Sequence, residues 1–482
     1  MALPTPKKIG QTKISIAKTN NAFVPVKRRI MNNSYKSVMF VIADDWSRIA
    51  KCYGNDVIRT PNIDAFAERG VVFDHAFCTS PSCAVSRACI LTGQHSHTHG
   101  QYGHCHGIHG FRTHEYMQSV PKILKAHGFA TACIGKKHVE PESVYPFDFE
   151  PRVNARSPAD MATKVTQFLN ESTDTPFYLH IGSTHPHRAG KGFGNDQTPA
   201  GIQPSSYTPD EIIVPNFLPD VPAVREDLAD YYESVSRWDA VVGAVLDALN
   251  ASGRADETLV FVTTDHAMPF PGAKASSFDS GHHCPLLISS PTQQKRGFHN
   301  QALVNWVDFC PTMLDWCGVA HPDGEDALPG RSILSILEDD SAHPGNGEWE
   351  ETYFSHCFHE VTNYYPYRVL RGRRYKYVRN LAYQLETPLP SDLFRSISWT
   401  AVRDDNVQQL GERQRTDFLQ QSREALFDIQ NDPAESQNVI DVPELQDIAN
   451  EMRRKVIEFR RKTKDPWLEQ SFQEGETQPF FS

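Results

Sequence analysis

The stretch Val38-Met39-Phe40-Val41-Ile42-Ala43-Asp44-Asp45-Trp46 decides the architecture of this chain. An apolar run with no polar alternation reads as a strand buried on both faces, the pattern of a parallel sheet. It ends abruptly in two carboxylates. Ligands of open α/β sheets gather outside the carboxyl ends of the strands, so Asp44 and Asp45 are placed as ligands rather than as surface charge. A second run of the same form, Thr258-Leu259-Val260-Phe261-Val262-Thr263-Thr264, ends in Asp265-His266. Together the two strand ends offer Asp44, Asp45, Asp265 and His266 to one divalent cation, and their mostly hard oxygen donors favour calcium or magnesium over zinc.

Outward from these strands, residues 38–345 alternate apolar strands with amphipathic helices, the order of a doubly wound, mostly parallel sheet flanked by helices. In one such helix, between Asp227 and Leu249, Val235, Trp238, Val242, Val245 and Leu249 recur at helical spacing and form a core face. A Pro, Gly and acid-rich stretch from Glu338 to Glu351 marks a boundary. The chain therefore divides into a polar extension (1–37), a catalytic domain (38–345) and a smaller C-terminal α+β subdomain (346–482). In the last, Arg368 to Arg379 reads as a basic hairpin turning near Gly372, with exposed and solvated charges. A final helix runs from about Pro443 to Lys462.

Between the two carboxylate-bearing strands lies Cys83-Ala84-Val85-Ser86-Arg87, followed by Leu91-Thr92-Gly93. It resembles the signature of the type I sulfatases, Cys-x-Pro-Ser-Arg followed by x-x-x-Leu-Thr-Gly, with Val85 at the proline position. The resemblance implies an alkaline phosphatase-like fold whose C-terminal subdomain is an antiparallel sheet with a helix packed on it. It also implies that Cys83 is oxidised to formylglycine by a formylglycine-generating enzyme, that its hydrated aldehyde attacks sulfur, and that Cys83 joins the metal set. Arg87 would hold nucleophile and metal in place. Further segments match the same family in order: Ile134-Gly135-Lys136-Lys137-His138-Val139, His185-Pro186-His187-Arg188, and Lys274 nine residues beyond Asp265. By this resemblance Lys136 and Lys274 neutralise sulfate oxygens, His138 takes a proton from the nucleophile's second hydroxyl, and His187 protonates the leaving group. The implied metal is Ca2+, with Mn2+ or Mg2+ as alternatives.

The match narrows to the sulfamidase branch of that family, the heparan N-sulfatases, on Val144-Tyr145-Pro146-Phe147-Asp148-Phe149, Pro269-Phe270-Pro271, Leu287-Ile288-Ser289-Ser290-Pro291 and His359-Glu360-Val361-Thr362. This implies removal of sulfate from an N-sulfated glucosamine or a related sulfated small molecule or sugar, with His106, His359 and Glu360 facing the substrate. The histidine run His95, His97, His99, His104, His106 and His109 also admits a second metal site, although a structural or substrate-facing loop is the favoured reading. Two other functions fit the same residues. One is a phosphodiester or phosphonate monoester hydrolase of the same superfamily, to which His266 and a manganese preference would point. The other is a non-catalytic binder of sulfated ligands in which Cys83 stays a thiol because of Val85.

Composition bounds the partners. A formal charge of −11, from 48 basic and 59 acidic residues, argues against a nucleic-acid binder. No segment has the roughly 18 consecutive apolar residues of a membrane span. The polar, basic first 37 residues lack the apolar core of a secretory signal, so a cytoplasmic location is expected. The ten cysteines are scattered without a small-domain disulfide pattern. A homodimer is compatible with all of this.

Overall fold

Strand β1 (Ser37–Ala43) is buried at every residue, and its alternate side chains enter different cores. Met39, Val41 and Ala43 pack with Val235, Trp238, Val242 and Val245 of the helix Pro222–Ala251. Val38, Phe40 and Ile42 pack with Phe309 and Met313 of the helix Phe309–Cys317. Helices therefore cover both faces, which is why the strand tolerates no polar residue. The computed structural model describes residues 36–470. The extension expected over 1–37 lies outside the described residues, apart from its last two.

The remaining strands of this sheet are β2 (Val71–Phe77), β3 (Ala130–Gly135), β4 (Phe177–Gly182), β5 (Thr258–Thr264), β6 (His283–Cys284), β7 (Leu286–Ser289) and β8 (Phe298–Asn305). Their order is β3-β4-β1-β5-β7-β2-β6, with β8 beside β2. β3, β4, β1 and β5 pair in parallel. The short β7 opposes both β5 and β2, and β6 opposes β2. The carboxyl ends of β1 to β5 consequently share one edge, a placement that builds the site.

A second sheet contains β9 (Glu351–Phe358), β10 (Tyr364–Gly372) and β11 (Tyr375–Asn380); after a two-stranded ribbon of β12 (Gln409–Leu410) and β13 (Arg413–Gln414), β14 (Glu424–Asp428) completes it. All its pairings are antiparallel, in the order β14-β11-β10-β9. The helix Gln446–Lys462 lays Ala449, Met452 and Val456 on Leu370, Tyr377 and Leu426. All described residues fall in one compact unit.

The structure corrects the reading of Arg368 to Arg379 as solvated charge. β10 is an interior strand covered on both faces, and Arg368 and Lys376 are completely buried. Buried charge has to be paired. Arg368 donates to Asp465 from Nε and Nη2, each at 2.9 Å, Arg371 donates to Asp279 at 2.8 Å, and Lys376 reaches Asp279 and Glu435 at 2.9 and 2.6 Å. The partners lie 59 to 97 residues away in sequence, so charge spacing along the ribbon carried no sign of them.

Candidate active site

The loops leaving β1, β3, β4 and β5 carry charged residues to one edge of the sheet. Asp44 and Asp45 follow β1, Asp265 and His266 follow β5, and Lys136 follows β3. The exit from β3 requires Gly135, at φ 94°, because a β-carbon there would strike the Gly182 carbonyl of β4. Asp45, His138 and Ala275 have positive φ of 70°, 57° and 59° without being glycine. Such conformations cost about 1–3 kcal/mol each and persist where surrounding structure must aim a side chain.

After β2 the chain enters the helix Cys83–Thr92, buried throughout. Cys83 sits at its N-terminus, where the helix dipole favours negative charge. Its Sγ lies 3.2 Å from His266 Nε2 and 3.9 Å from Asp45 Oδ1. One turn later, fully buried Arg87 donates from Nε to Asp265 Oδ2 at 3.0 Å, from Nη1 to the Lys136 carbonyl at 3.0 Å and from Nη2 to the Ala43 carbonyl at 3.2 Å. One guanidinium thus ties together the ends of β1, β3 and β5.

Backbone contacts set the orientation of two histidines. His266 Nδ1 lies 2.9 Å from the Ala267 carbonyl and therefore carries a proton, which turns Nε2 towards Cys83 and towards Asp45 Oδ1, 3.1 Å away. His187 Nδ1 likewise meets the Arg188 carbonyl at 2.5 Å. This leaves its Nε2 facing Lys274 Nζ at 3.4 Å and Asp45 Oδ2 at 3.8 Å. Lys136 Nζ donates to Asp44 Oδ2 at 2.5 Å. Lys274, almost fully buried, donates to Asp45 Oδ2 at 3.0 Å and to Asp392 Oδ2 at 2.9 Å.

Four carboxylates, Asp44, Asp45, Asp265 and Asp392, therefore face three cations, Arg87, Lys136 and Lys274, and the environment sorts their protons. Burial opposes ionisation of Asp44, but Lys136, His187 and Arg87 outweigh it and hold the carboxyl well below its ordinary range. Burial and then the Asp44 charge raise Asp265 against the pull of Arg87. Burial pushes the Cys83 thiol up, and Lys136 and Lys274 only partly oppose it. Burial disfavours the Lys274 charge, yet Asp392 and Asp45 more than restore it.

The donor set suits a divalent cation. Ligand atoms of Asp44, Asp45, Cys83 and His187 lie within 4.8 Å of one another, as do those of Cys83, Asp265 and His266. Asp44 Oδ1 is buried without a hydrogen-bond donor, an orphaned oxygen that a cation would satisfy. Three carboxylates, set beside the imidazoles of His187 and His266 and the sulfur of Cys83, match the hard-cation class.

An open cavity of about 910 Å³ reaches from Cys83, Lys136 and Lys274 to an imidazole cluster of His104, His106, His138 and His359, with Glu360 and Asp392 also on its wall. His138 Nε2 lies 2.8 Å from His106 Nδ1, and His104 Nε2 lies 3.0 Å from His359 Nε2. Burial drives the pKa values of His104, His138 and His359 well below that of free histidine. Glu360 Oε1 accepts from Ser391 Oγ at 2.5 Å. Every residue to which the sulfatase resemblance gives a catalytic, metal-binding or substrate-facing role thus lies in the buried charge network or on this cavity. Asp392 was missed. It follows Pro388-Leu389-Pro390 at the start of the one-turn helix Ser391–Phe394, a stretch with no motif or periodicity to single it out.

Residues 36–319 match the sulfatase family model, and residues 273–388 match the model of the C-terminal region of N-sulphoglucosamine sulphohydrolase. The chain belongs to the sulfatase family, and fold and site define a hydrolase of that class. Within it the chain is similar to human N-sulphoglucosamine sulphohydrolase, 33% identical over 464 residues that span 90% of this chain and 91% of that protein. It is also similar to an ulvan-active sulfatase of Formosa agariphila, 27% identical over 86% of this chain and 78% of the relative. A structure solved in complex with its substrate D-glucosamine-2-N,6-O-disulfate shares the fold, with a TM-score of 0.64 at 20% identity over 90% of this chain and 99% of that one.

Proposed function

We propose that this chain hydrolyses the sulfamate bond of an N-sulfated glucosamine, free or at the end of a saccharide, with Cys83 oxidised to formylglycine as its nucleophile. The observation that carries the choice of nitrogen over oxygen is the 33% identity to human N-sulphoglucosamine sulphohydrolase along nearly the full length of both chains, together with the match of residues 273–388 to that enzyme's C-terminal model.

The residues divide the work by position. Asp44, Asp45, Asp265 and His266 hold a divalent cation, calcium by the hardness of the donors. Bound there, that cation supplies positive charge which polarises a sulfuryl oxygen and acidifies a hydroxyl beside it. Asp44, Asp45, Asp265 and Asp392 outnumber Arg87, Lys136 and Lys274 by one charge, so it is an added dication that would make the pocket attract an anionic sulfate. Lys136 and Lys274 border the cavity and hold the sulfuryl oxygens. Oxidation replaces the Cys83 thiol by an aldehyde, which water converts to a geminal diol. One hydroxyl attacks sulfur, its proton passing to Asp45, whose Oδ1 lies 3.9 Å from Cys83 Sγ, and the S–N bond breaks. His138 then takes the proton of the other hydroxyl as the C–O bond to sulfate breaks and the aldehyde re-forms. His187, protonated at Nε2, donates to the departing nitrogen, which is strongly basic once expelled.

The test is peptide mass spectrometry across Cys83, paired with turnover of N-sulfoglucosamine, glucosamine-6-sulfate and a phosphonate monoester by the same preparation. Exchange of thiol for aldehyde lowers the peptide mass by about 18 Da, and N-sulfoglucosamine should be the preferred substrate. Faster phosphonate turnover would place the chain with the phosphonate hydrolases. A fully retained thiol in inactive protein would make it a sulfate binder.

A further inference from the structure

The fold splits the six-histidine stretch between residues 95 and 109. His95 and His97 pack on Phe459, and His99 Nε2 lies 3.3 Å from Cys89 Sγ in the core. His104 and His106 turn the other way, to His138 from the loop after β3 and His359 at the end of β9. The rings of His104 and His106 lie 5.1 Å apart, those of His104 and His138 5.0 Å, and those of His106 and His138 4.9 Å. One ring nitrogen from each of His104, His106 and His138 lies within 4.8 Å of those of the other two. The Nδ1 atoms of His104, His138 and His359 are buried without a hydrogen-bond partner.

Packed imidazoles with unsatisfied nitrogens leave lone pairs in a poorly solvated space, a cost that buried polar groups normally avoid. A metal ion held by one nitrogen of each of three rings removes part of it: His104 Nδ1 is free because its Nε2 faces His359, and His106 Nδ1 and His138 Nε2 already face each other. Tetrahedral zinc, with Zn–N bonds of about 2.0–2.1 Å, spaces its ligand nitrogens about 3.3 Å apart. The 2.8 Å contact between His106 and His138 needs to open only slightly to meet that spacing. We propose that His104, His106 and His138 form a second metal site, for a borderline divalent ion of the zinc type, across the mouth of the substrate cavity. An ion there engages His138 and narrows the cavity, so zinc inhibits hydrolysis.

The two sites differ in donor chemistry. Carboxylate oxygens around Cys83 suit calcium or magnesium, whereas three imidazoles suit zinc, copper or nickel. Exposed His106 gives the ion a path from solvent and leaves a coordination position open to water. His359, 3.0 Å from His104, is placed to orient that ring from outside the metal's own ligands. Two lysines on the same cavity are already matched, Lys136 by Asp44 and Lys274 by Asp45 and Asp392, while Arg152 on its rim is exposed to solvent. Inhibition rests on the proposed hydrolase; metal binding does not.

The full-length protein is saturated with calcium and then titrated with zinc chloride. Bound zinc is counted by equilibrium dialysis and elemental analysis while N-sulfoglucosamine turnover is followed in parallel. One zinc per chain should remain bound in excess calcium, and turnover should fall with the same midpoint. His106→Ala, at an exposed position, and His104→Gln should each weaken zinc binding at least about 100-fold, the upper range seen for loss of mere outer-shell partners. As a check independent of folding yield, cobalt should give the visible absorption of a low-coordinate nitrogen site in the native protein and lose it in His106→Ala. Zinc that calcium displaces, or that both variants bind as tightly as the native chain, overturns the site. Zinc binding with undiminished turnover overturns the inhibition. Zinc binding in protein that hydrolyses no sulfate supports the site and overturns the proposed function instead.

Discussion

Lys274 Nζ lies 2.9 Å from Asp392 Oδ2, although the two residues are 118 positions apart. The pairing joins the loop after β5 to the one-turn helix Ser391–Phe394 beyond β11, and with Asp45 on its other side it fixes a buried ammonium beside His187. Asp392 is a positioning residue for that ammonium, and its own carboxyl is held below the usual range because Lys274 and His187 outweigh the effect of burial.

Asp392→Asn should fold and keep its metal while losing turnover. A hydrogen bond to a charged group contributes about 1.5–3 kcal/mol, so kcat/KM should fall about 10- to 100-fold. Restoration by Asp392→Glu would mark the charge as the cause. Unchanged kinetics with Asp392→Asn would remove Asp392 from the site.

Arg87 and Asp265 are both fully buried. Arg87→Ala would leave Asp265 an uncompensated charge, a loss of about 3–5 kcal/mol in stability. Arg87→Lys keeps the charge, but a single ammonium cannot serve Asp265 and two carbonyls from a planar fork; it should retain more stability than alanine and still lose most activity. Urea denaturation of both variants beside the native chain measures the order.

Burial lowers His95, His99, His180, His282 and His356 to about 3. An unfolded chain protonates these rings near pH 6.5, so between that value and about 3 the unfolded state binds more protons and stability falls as pH falls. The thermal midpoint should therefore begin to drop near pH 6.5, the five rings outweighing Asp239 and Asp308, whose carboxyls burial raises to about 6 and which act in the opposite direction. Each ring contributes up to about 1.4 kcal/mol per pH unit in that window. A midpoint level down to pH 4.5 would contradict this.

Removal of divalent ions by a chelator should abolish sulfate release and lower the thermal midpoint, because a ligand that binds only the folded state stabilises it. Calcium restored at 100 times its dissociation constant should recover about 2.7 kcal/mol. Calorimetric scans across a calcium series check the size of the effect.

The sequence by itself determined the frame and the inner site. β1 and β5 were legible because a strand buried on both faces has only apolar choices, so Asp44, Asp45, Asp265 and His266 stood out at their ends. Cys83 and Arg87 were legible because one helical turn holds their spacing. Local geometry is written in local sequence, and the sulfatase resemblance supplied the order of the parts. Tertiary structure alone decided which distant charges meet. Nothing near Asp392 announces Lys274, and the basic run of β10 and β11 gave no sign that Arg368 would find Asp465 in a closed interior. Nor did the histidine stretch reveal that His104 and His106 would join His138 and His359 while His95 and His97 went to Phe459. Such contacts form only when separate loops converge, and their energies depend on burial, which packing sets and no local pattern records.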